Sequence, residues 1–213
     1  MTGTQDKELT MALIDQSVQD FSAALASRAA VPGGGGASAA AAALGAALGE
    51  MVGALTVGKP KYAAAEDALR GLMARAETLR LRLLDCVDRD AAAFAPLAEA
   101  YAIPKDEPTR AETLERCLRA AAAVPLELLE LCCEGIALQE AFAEKGSALA
   151  VSDAATGAAL LNGALYGAAV NVKVNTRLMR DRAYADALDA RVDALLAEYP
   201  PRAQAVFARI YGA

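Results

Sequence analysis

Pro32-Gly33-Gly34-Gly35-Gly36, followed without a charge by Ala37-Ser38-Ala39 through Leu48-Gly49, is the stretch on which the fold turns. Glycine loses more backbone freedom on folding than any other residue, so four in a row weaken a structure unless the backbone there must be bare. Two needs are met that way: left-handed backbone angles, or close approach by another group. The alanine-rich run beyond reads as a helix over about 37–57, its first free N–H groups turned toward whatever approaches. A bound anion or polarised ligand atom is one such group, and a tightly packed neighbouring segment is the other. Gly45, Gly49 and Gly53 lie four apart. They therefore share one helix face, where a second backbone can come close.

Working outward from this run, the rest of the chain also reads as helix. Leu9, Leu13, Val18, Phe21 and Leu25 recur at helical spacing, giving a first amphipathic helix that ends near Ser27-Arg28. Gly58-Lys59-Pro60-Lys61-Tyr62 breaks the second helix, and a long one follows over about 63–95. Pro104 and Pro108 bracket a turn, and Thr109 stands three residues before Glu112, the spacing of a capping box. Val124-Pro125 marks a kink in the next helix, which Lys145-Gly146-Ser147 closes. Ser152-Asp153 reads as an N-cap for a helix running to about Arg180. Two short helices, about 184–198 and 202–211, finish the chain. No segment alternates with period two, and no linker or fixed-length repeat interrupts the pattern. The expectation is an all-α, elongated bundle of about six or seven helices, one domain over 1–213.

Composition narrows the chemistry. Hydrophobic residues make up 55% and charged residues 23% of 213 residues, which is the balance of a folded chain with a core. There is no histidine, so triad nucleophiles, imidazole bases and histidine zinc sites are excluded. Acid–base work falls to Asp, Glu, Lys, Tyr, Cys or water. Cys86, Cys117, Cys132 and Cys133 form no C-x-x-C pair and read as buried free thiols of a reducing cytoplasm. No basic-then-apolar leader opens the chain. The uncharged run 29–49 meets the length of a membrane span, but alanine and glycine are weakly apolar and no aromatic belt flanks it, so a buried core helix is expected and no membrane partner. A net charge of −6 argues against nucleic acid.

The glycine run matches neither common phosphate fingerprint, having no preceding strand and no Lys-Ser/Thr after it. Only six of 21 basic residues are lysine, and Lys59, Lys61, Lys105 and Lys145 fall at breaks between helices. Gathered there in an acidic chain, they suit a local basic pocket for a carboxylated ligand; helix C-terminal capping is the plainer use. Asp88 and Asp90 precede Ala93-Phe94 in a long helix, where only a carboxylate facing a pocket becomes a base. Asp153 suits the dipole at a helix start. Asn171 and Asn175, four apart on one face, call for a partner, whether a neighbouring helix or a ligand.

Taken in order, these motifs resemble the cyclodeaminase/cyclohydrolase family of folate one-carbon metabolism, over about 16–196. The resemblance rests on Pro32-Gly-Gly-Gly, Gly58-Lys59-Pro60-Lys61-Tyr62, Asp90-Ala-Ala-Ala93-Phe94, Ile103-Pro104-Lys105, Val124-Pro125-Leu126, Ser152-Asp153-Ala154 and Asn171-Val-Lys-Val-Asn175. It implies an all-helical homodimer without metal or cofactor, acting on a tetrahydrofolate derivative with or without a polyglutamate tail. Cyclohydrolase members add water to 5,10-methenyltetrahydrofolate to give the 10-formyl form, the activity expected here. Cyclodeaminase members release ammonia from 5-formiminotetrahydrofolate, the alternative. Carried onto this chain, the likeness implies Asp90, Lys61 and Lys105 as catalytic residues. Pro32, Gly33, Gly34, Gly35, Gly36, Lys59, Ser152, Asp153, Asn171 and Asn175 become the substrate-binding residues. Two departures stand out: Gly36 where many members have serine, and Gly146-Ser147-Ala148-Leu149 where Gly-Asn-x-Asn is frequent. Both would suit a third reading, a non-catalytic helical dimer that kept the fold.

Overall fold

Six α-helices and two 3-10 turns account for nearly all of the chain in the computed structural model, which describes residues 12–212. The helices are α1 (Val18–Leu25), α2 (Gly34–Ala54), α3 (Glu66–Ala102), α4 (Arg110–Lys145), α5 (Val151–Thr176) and α6 (Arg182–Tyr211). The turns are Leu13–Asp15 and Pro60–Ala65, and no strand occurs among the described residues. The all-helical reading is borne out; Leu9 and Lys7 lie outside the described residues.

Several boundaries differ from expectation, each for a local reason. α1 starts at Val18 because Ser17 caps it, its hydroxyl accepting the Asp20 N–H at 3.0 Å. α2 begins inside the glycine run at Gly34, three residues earlier than expected, and no residue of 33–36 has a positive φ. The capping box at α4 does not form: Thr109 has helical angles and its hydroxyl donates to Glu107 at 3.2 Å instead. Ser152 and Asp153 are not a cap but lie in the first turn of α5, because the Ala150 and Val151 N–H groups already bond the Ser147 carbonyl. The last two helices are one, with Pro200 and Pro201 inside α6. Each proline removes one backbone donor, which a helix packed on its neighbours tolerates. Asp181 caps α6 by accepting the Tyr184 N–H at 3.1 Å.

α2 and α5 run antiparallel and touch backbone to backbone. A Cβ at Gly45 would stand 2.9 Å from the Gly157 carbonyl, and one at Gly157 2.8 Å from that of Gly45, closer than real side chains come. This is the approach the small-residue stripe foretold, although Gly49 and Gly53 admit Phe142 and Met73 rather than backbone. Behind this pair α4 supplies much of the core, with Leu128, Leu129, Ile136 and Phe142 fully buried. Phe142 alone is worth about 3–5 kcal/mol against truncation to alanine. The buried Gln139, which sequence reasoning did not single out, donates to the Gly45 carbonyl at 2.8 Å and ties α4 to α2. All four cysteines are free and buried. Burial pushes the Cys86 thiol up to about 11 and Cys133 up to about 12, so neither is a nucleophile at neutral pH.

Candidate active site

The first turn of α2 exists to receive a carboxylate. Asp90, from the antiparallel α3, lies where a side chain at position 35 would be: a Cβ on Gly35 would run into the Asp90 carboxyl group. The Gly36 N–H, which no helical carbonyl can reach, donates to Asp90 Oδ2 at 3.1 Å. Pro32 packs behind, 3.6 Å from where a Cβ on Gly36 would sit. Close approach, not left-handed geometry, is therefore what the glycine run serves. Asp88, two residues earlier, is spent on structure, its Oδ1 accepting the Leu13 N–H at 2.7 Å.

Asp90 opens onto a cleft of about 160 Å³ walled by Gly33, Gly34, Gly35, Phe94, Asn171 and Asn175, among others. The asparagines come from α5. Asn171 Nδ2 donates to the Gly167 carbonyl at 2.8 Å, and Asn175 Nδ2 to those of Asn171 at 2.8 Å and Ala121 at 3.4 Å. Both asparagines therefore line the cleft with side chains anchored to backbone carbonyls. Burial raises the Asp90 carboxyl above the ordinary aspartate range, and the Gly36 N–H opposes that rise. A carboxyl so placed can exchange a proton nearer neutrality than a solvated one.

At the other end of α2 a second polar cluster forms. Gly58 adopts φ +82°, turning the chain so that Lys59, Lys61 and Tyr62 follow directly. Lys59 Nζ donates to Ser147 Oγ at 3.3 Å, the Ala148 N–H donates to the Tyr62 hydroxyl at 3.1 Å, and Lys61 Nζ stands 5.6 Å from the Tyr62 ring centre. The Ala148 N–H, the Ser147 hydroxyl and the two lysine charges hold the Tyr62 phenol below its ordinary value. The departure Gly146-Ser147-Ala148 thus supplies partners for the lysine-tyrosine motif. Thr56 secures the junction, its hydroxyl donating to the Val52 carbonyl at 2.6 Å and accepting the Ser147 N–H at 2.8 Å.

With this geometry in view, the comparisons with known proteins are specific. The sequence profile of the formiminotransferase-cyclodeaminase family matches residues 17–194. The chain belongs to this family. A methenyltetrahydrofolate cyclohydrolase of Methylorubrum extorquens is 38% identical over 201 residues, a match covering 92% of this chain and 95% of that protein. The mouse formimidoyltransferase-cyclodeaminase is 36% identical over 199 residues, covering 91% of this chain but only 37% of the mouse protein. Among solved structures, a formiminotetrahydrofolate cyclodeaminase from Thermotoga maritima superposes with a TM-score of 0.79 at 26% identity, covering 92% of this chain and 94% of that one.

Within this family member, the residues expected to act together divide into two groups. Gly33, Gly34, Gly35, Asp90, Asn171 and Asn175 wall one cleft, with Gly36 and Pro32 supporting it. Lys59, Lys61, Ser152 and Asp153 belong to the opposite end of the bundle, where α2 finishes and α5 begins. Since α2 has 21 residues, the two ends stand about 30 Å apart. Within one protomer Lys61 therefore does not reach Asp90. Lys105 joins neither group; it sits exposed in the turn after α3, whose last residue, Ala102, is twelve residues and about 18 Å along the helix from Asp90. Lys145 lies in the last turn of α4, where its charge favours the helix dipole, and pairs with Glu144 at 3.4 Å. Phe94 and Pro125 line the Asp90 cleft and were visible only as motif members, not as site residues. Among the described residues no cluster of three or more Cys, Asp or Glu is arranged to hold a metal ion.

Proposed function

We propose that this chain is a methenyltetrahydrofolate cyclohydrolase, adding water to 5,10-methenyltetrahydrofolate to give 10-formyltetrahydrofolate. The observation that carries the reading is Asp90, partly buried, with its carboxyl group held against the bare first turn of α2 and facing a cleft edged by two asparagine amides. The preference for cyclohydrolase over cyclodeaminase rests on likeness along the full length, 95% of the Methylorubrum extorquens enzyme against 37% of the mouse bifunctional protein.

In this mechanism the substrate's amidinium carbon, bridging N5 and N10, lies beside Asp90, whose negative charge stabilises the cation. A water attacks that carbon, forming a C–O bond, and gives its proton to Asp90. The resulting carbinolamine expels N5: the C–N5 bond breaks, its electron pair stays on nitrogen, and Asp90 returns the proton there. Loss of the remaining hydroxyl proton to solvent leaves the formyl group on N10, with one proton released overall. The asparagine oxygens accept from the pterin's N–H edge, and the Gly33–Gly35 backbone provides a flat wall. No metal or cofactor enters any step. The two lysines and the tyrosine at the far end of α2 suit carboxylates, such as those of an extended glutamate tail. We also infer a homodimer, and four free buried thiols suit a reducing compartment such as the cytoplasm.

Loss of methenyltetrahydrofolate absorbance, with and without protein, tests the reading; an accelerated decay is expected. Ammonia release from 5-formiminotetrahydrofolate without that decay would transfer the assignment to cyclodeaminase. Folate binding with neither reaction would leave a non-catalytic helical dimer.

A further inference from the structure

The Asp90 cleft, at about 160 Å³, is well below the roughly 300–1,000 Å³ that encloses a ligand of drug size. A larger ligand must extend beyond it. One turn or two further along the bundle, at the α4 start and the α5 end, lies a second cavity of about 410 Å³. It opens on the same faces of the same three helices. Asp90 and Phe94 of the cleft and Tyr101 of the cavity recur along α3 at helical spacing, as do Ala121 of the cleft and Leu118 and Leu114 of the cavity along α4. α5 gives Asn171 and Val174 to the cleft, and Leu178, in the turn that follows it, to the cavity. Phe94 and Tyr101 are seven residues apart, which is about 10 Å along the helix.

This second cavity has an apolar floor and a basic rim. Leu118 is buried at the floor, while Tyr101 and Leu178 stand about half exposed above it. Arg110 and Arg180 edge it. Arg110 is fixed by its Nε, which donates to the Ile103 carbonyl at 2.8 Å, and its two Nη groups have no acceptor among the described residues. The Arg180 side chain likewise has no acid partner among them, although its backbone N–H donates to Glu115 at 2.7 Å. Neighbouring Arg119, by contrast, is held by both Glu115 and Asp181. Glu115 is the one acid lining the cavity, and it already accepts from Arg119 Nε and from the Arg180 and Asp181 N–H groups. Ala111, in the first turn of the long α4, adds the positive end of a helix dipole.

We propose that this cavity binds the benzoyl ring and the first glutamate of the folate substrate whose cationic ring lies at Asp90. The benzoyl ring packs against Tyr101 and Leu178, and the glutamate carboxylates pair with Arg110 and Arg180. The assignment rests on the folate reading given above. From the bridging carbon, a para-substituted ring, an amide and one amino acid reach about 10–12 Å when extended, which matches the step from cleft to cavity. Planar guanidinium groups meet carboxylates with paired N–H donors, and an aromatic side chain suits an aromatic ring. The lysine cluster at the opposite end of α2 is a separate basic region and takes no part in this contact.

Removing the glutamate from the substrate isolates the contact. Wild type is expected to use 5,10-methenyltetrahydrofolate with a KM about tenfold or more below that for 5,10-methenyltetrahydropteroate, which lacks the glutamate. In Arg110→Gln/Arg180→Gln the KM for the glutamate form should rise to meet that of the pteroate form, whereas damage to the fold would impair both substrates alike. Arg180→Gln alone alters an exposed side chain and should remove part of the same advantage, so the test survives poor folding of the double variant. A wild type that does not distinguish the two substrates, or arginine variants that keep the full advantage of the glutamate, would overturn the proposal. A wild type that turns over neither substrate defeats the folate reading instead, and binding then decides. Saturation-transfer NMR with p-aminobenzoylglutamate is expected to show contact with wild type that is lost in the arginine variants. No contact, or equal contact in all, contradicts the assignment of the cavity.

Discussion

The two ends of α2 are both built on a glycine, for opposite reasons. At Gly35 the backbone is ordinary helix, but a neighbouring carboxylate occupies the side chain's place. At Gly58 nothing lies within 4 Å of a would-be Cβ, and the constraint is the left-handed φ of +82°. The first end is partly buried and acidic, and desolvation tunes its one ionisable group. The second is exposed and basic, and solvent screens its charges. Such a contrast separates the roles: proton transfer where water is displaced, electrostatic capture where it is not.

Methylating the two glycines breaks the comparison most sharply. Gly35→Ala displaces Asp90, so turnover should fall by about a hundredfold or more, with about 1–3 kcal/mol lost from stability through overpacking. Turnover assays and thermal melts check both. Next in size is the basic end, where Lys59→Met/Lys61→Met should raise KM about tenfold with a smaller change in kcat, the loss shrinking as salt is added. Equal KM at low and high salt would break the assignment of capture to that end.

The pH profile sharpens the acidic end. Burial raises the Asp90 carboxyl above its unfolded value. The ionised form therefore costs the fold stability, a cost absent below the ordinary aspartate value of about 3.9 and complete above the raised one. Activity needs the ionised base, so kcat/KM should fall with acid at a higher pH than a solvated aspartate would allow. An acid limb in the ordinary aspartate range would contradict this. The smallest effect belongs to Gly58→Ala, about 1–2 kcal/mol of local strain with kcat little altered.

Much of this contrast was legible in the sequence. An uncharged Ala/Gly run cannot be a surface helix, so α2 as a core helix followed from composition. Four glycines without a phosphate motif left two uses open, left-handed angles or close approach, and Asp90 was named through the family likeness of its motif with Phe94. Which of Asp88 and Asp90 faces the cleft was not legible, because it depends on how α3 is rotated against α2. Nor was Gln139, an ordinary polar residue until packing buries it among Gly45, Gly49 and Gly157. The lysines were grouped with Asp90 without the spacing being weighed: within one protomer, motifs on either side of a helix that long lie at opposite ends of it. The end of the chain differed too: two short helices were expected over about 184–198 and 202–211, yet one helix continues through Pro200 and Pro201.

The central claim is that Asp90 is the proton acceptor, and Asp90→Asn addresses it most directly. The amide keeps an oxygen for the Gly36 N–H and removes a buried charge, so the fold has no reason to weaken. Wild type and variant are compared for methenyltetrahydrofolate decay and for melting temperature at neutral pH. The account predicts turnover lower by about 10²–10⁴-fold, the usual share of a general base, with a melting temperature unchanged or higher. A variant as fast as wild type, or one that is inactive only because it has unfolded, would contradict it.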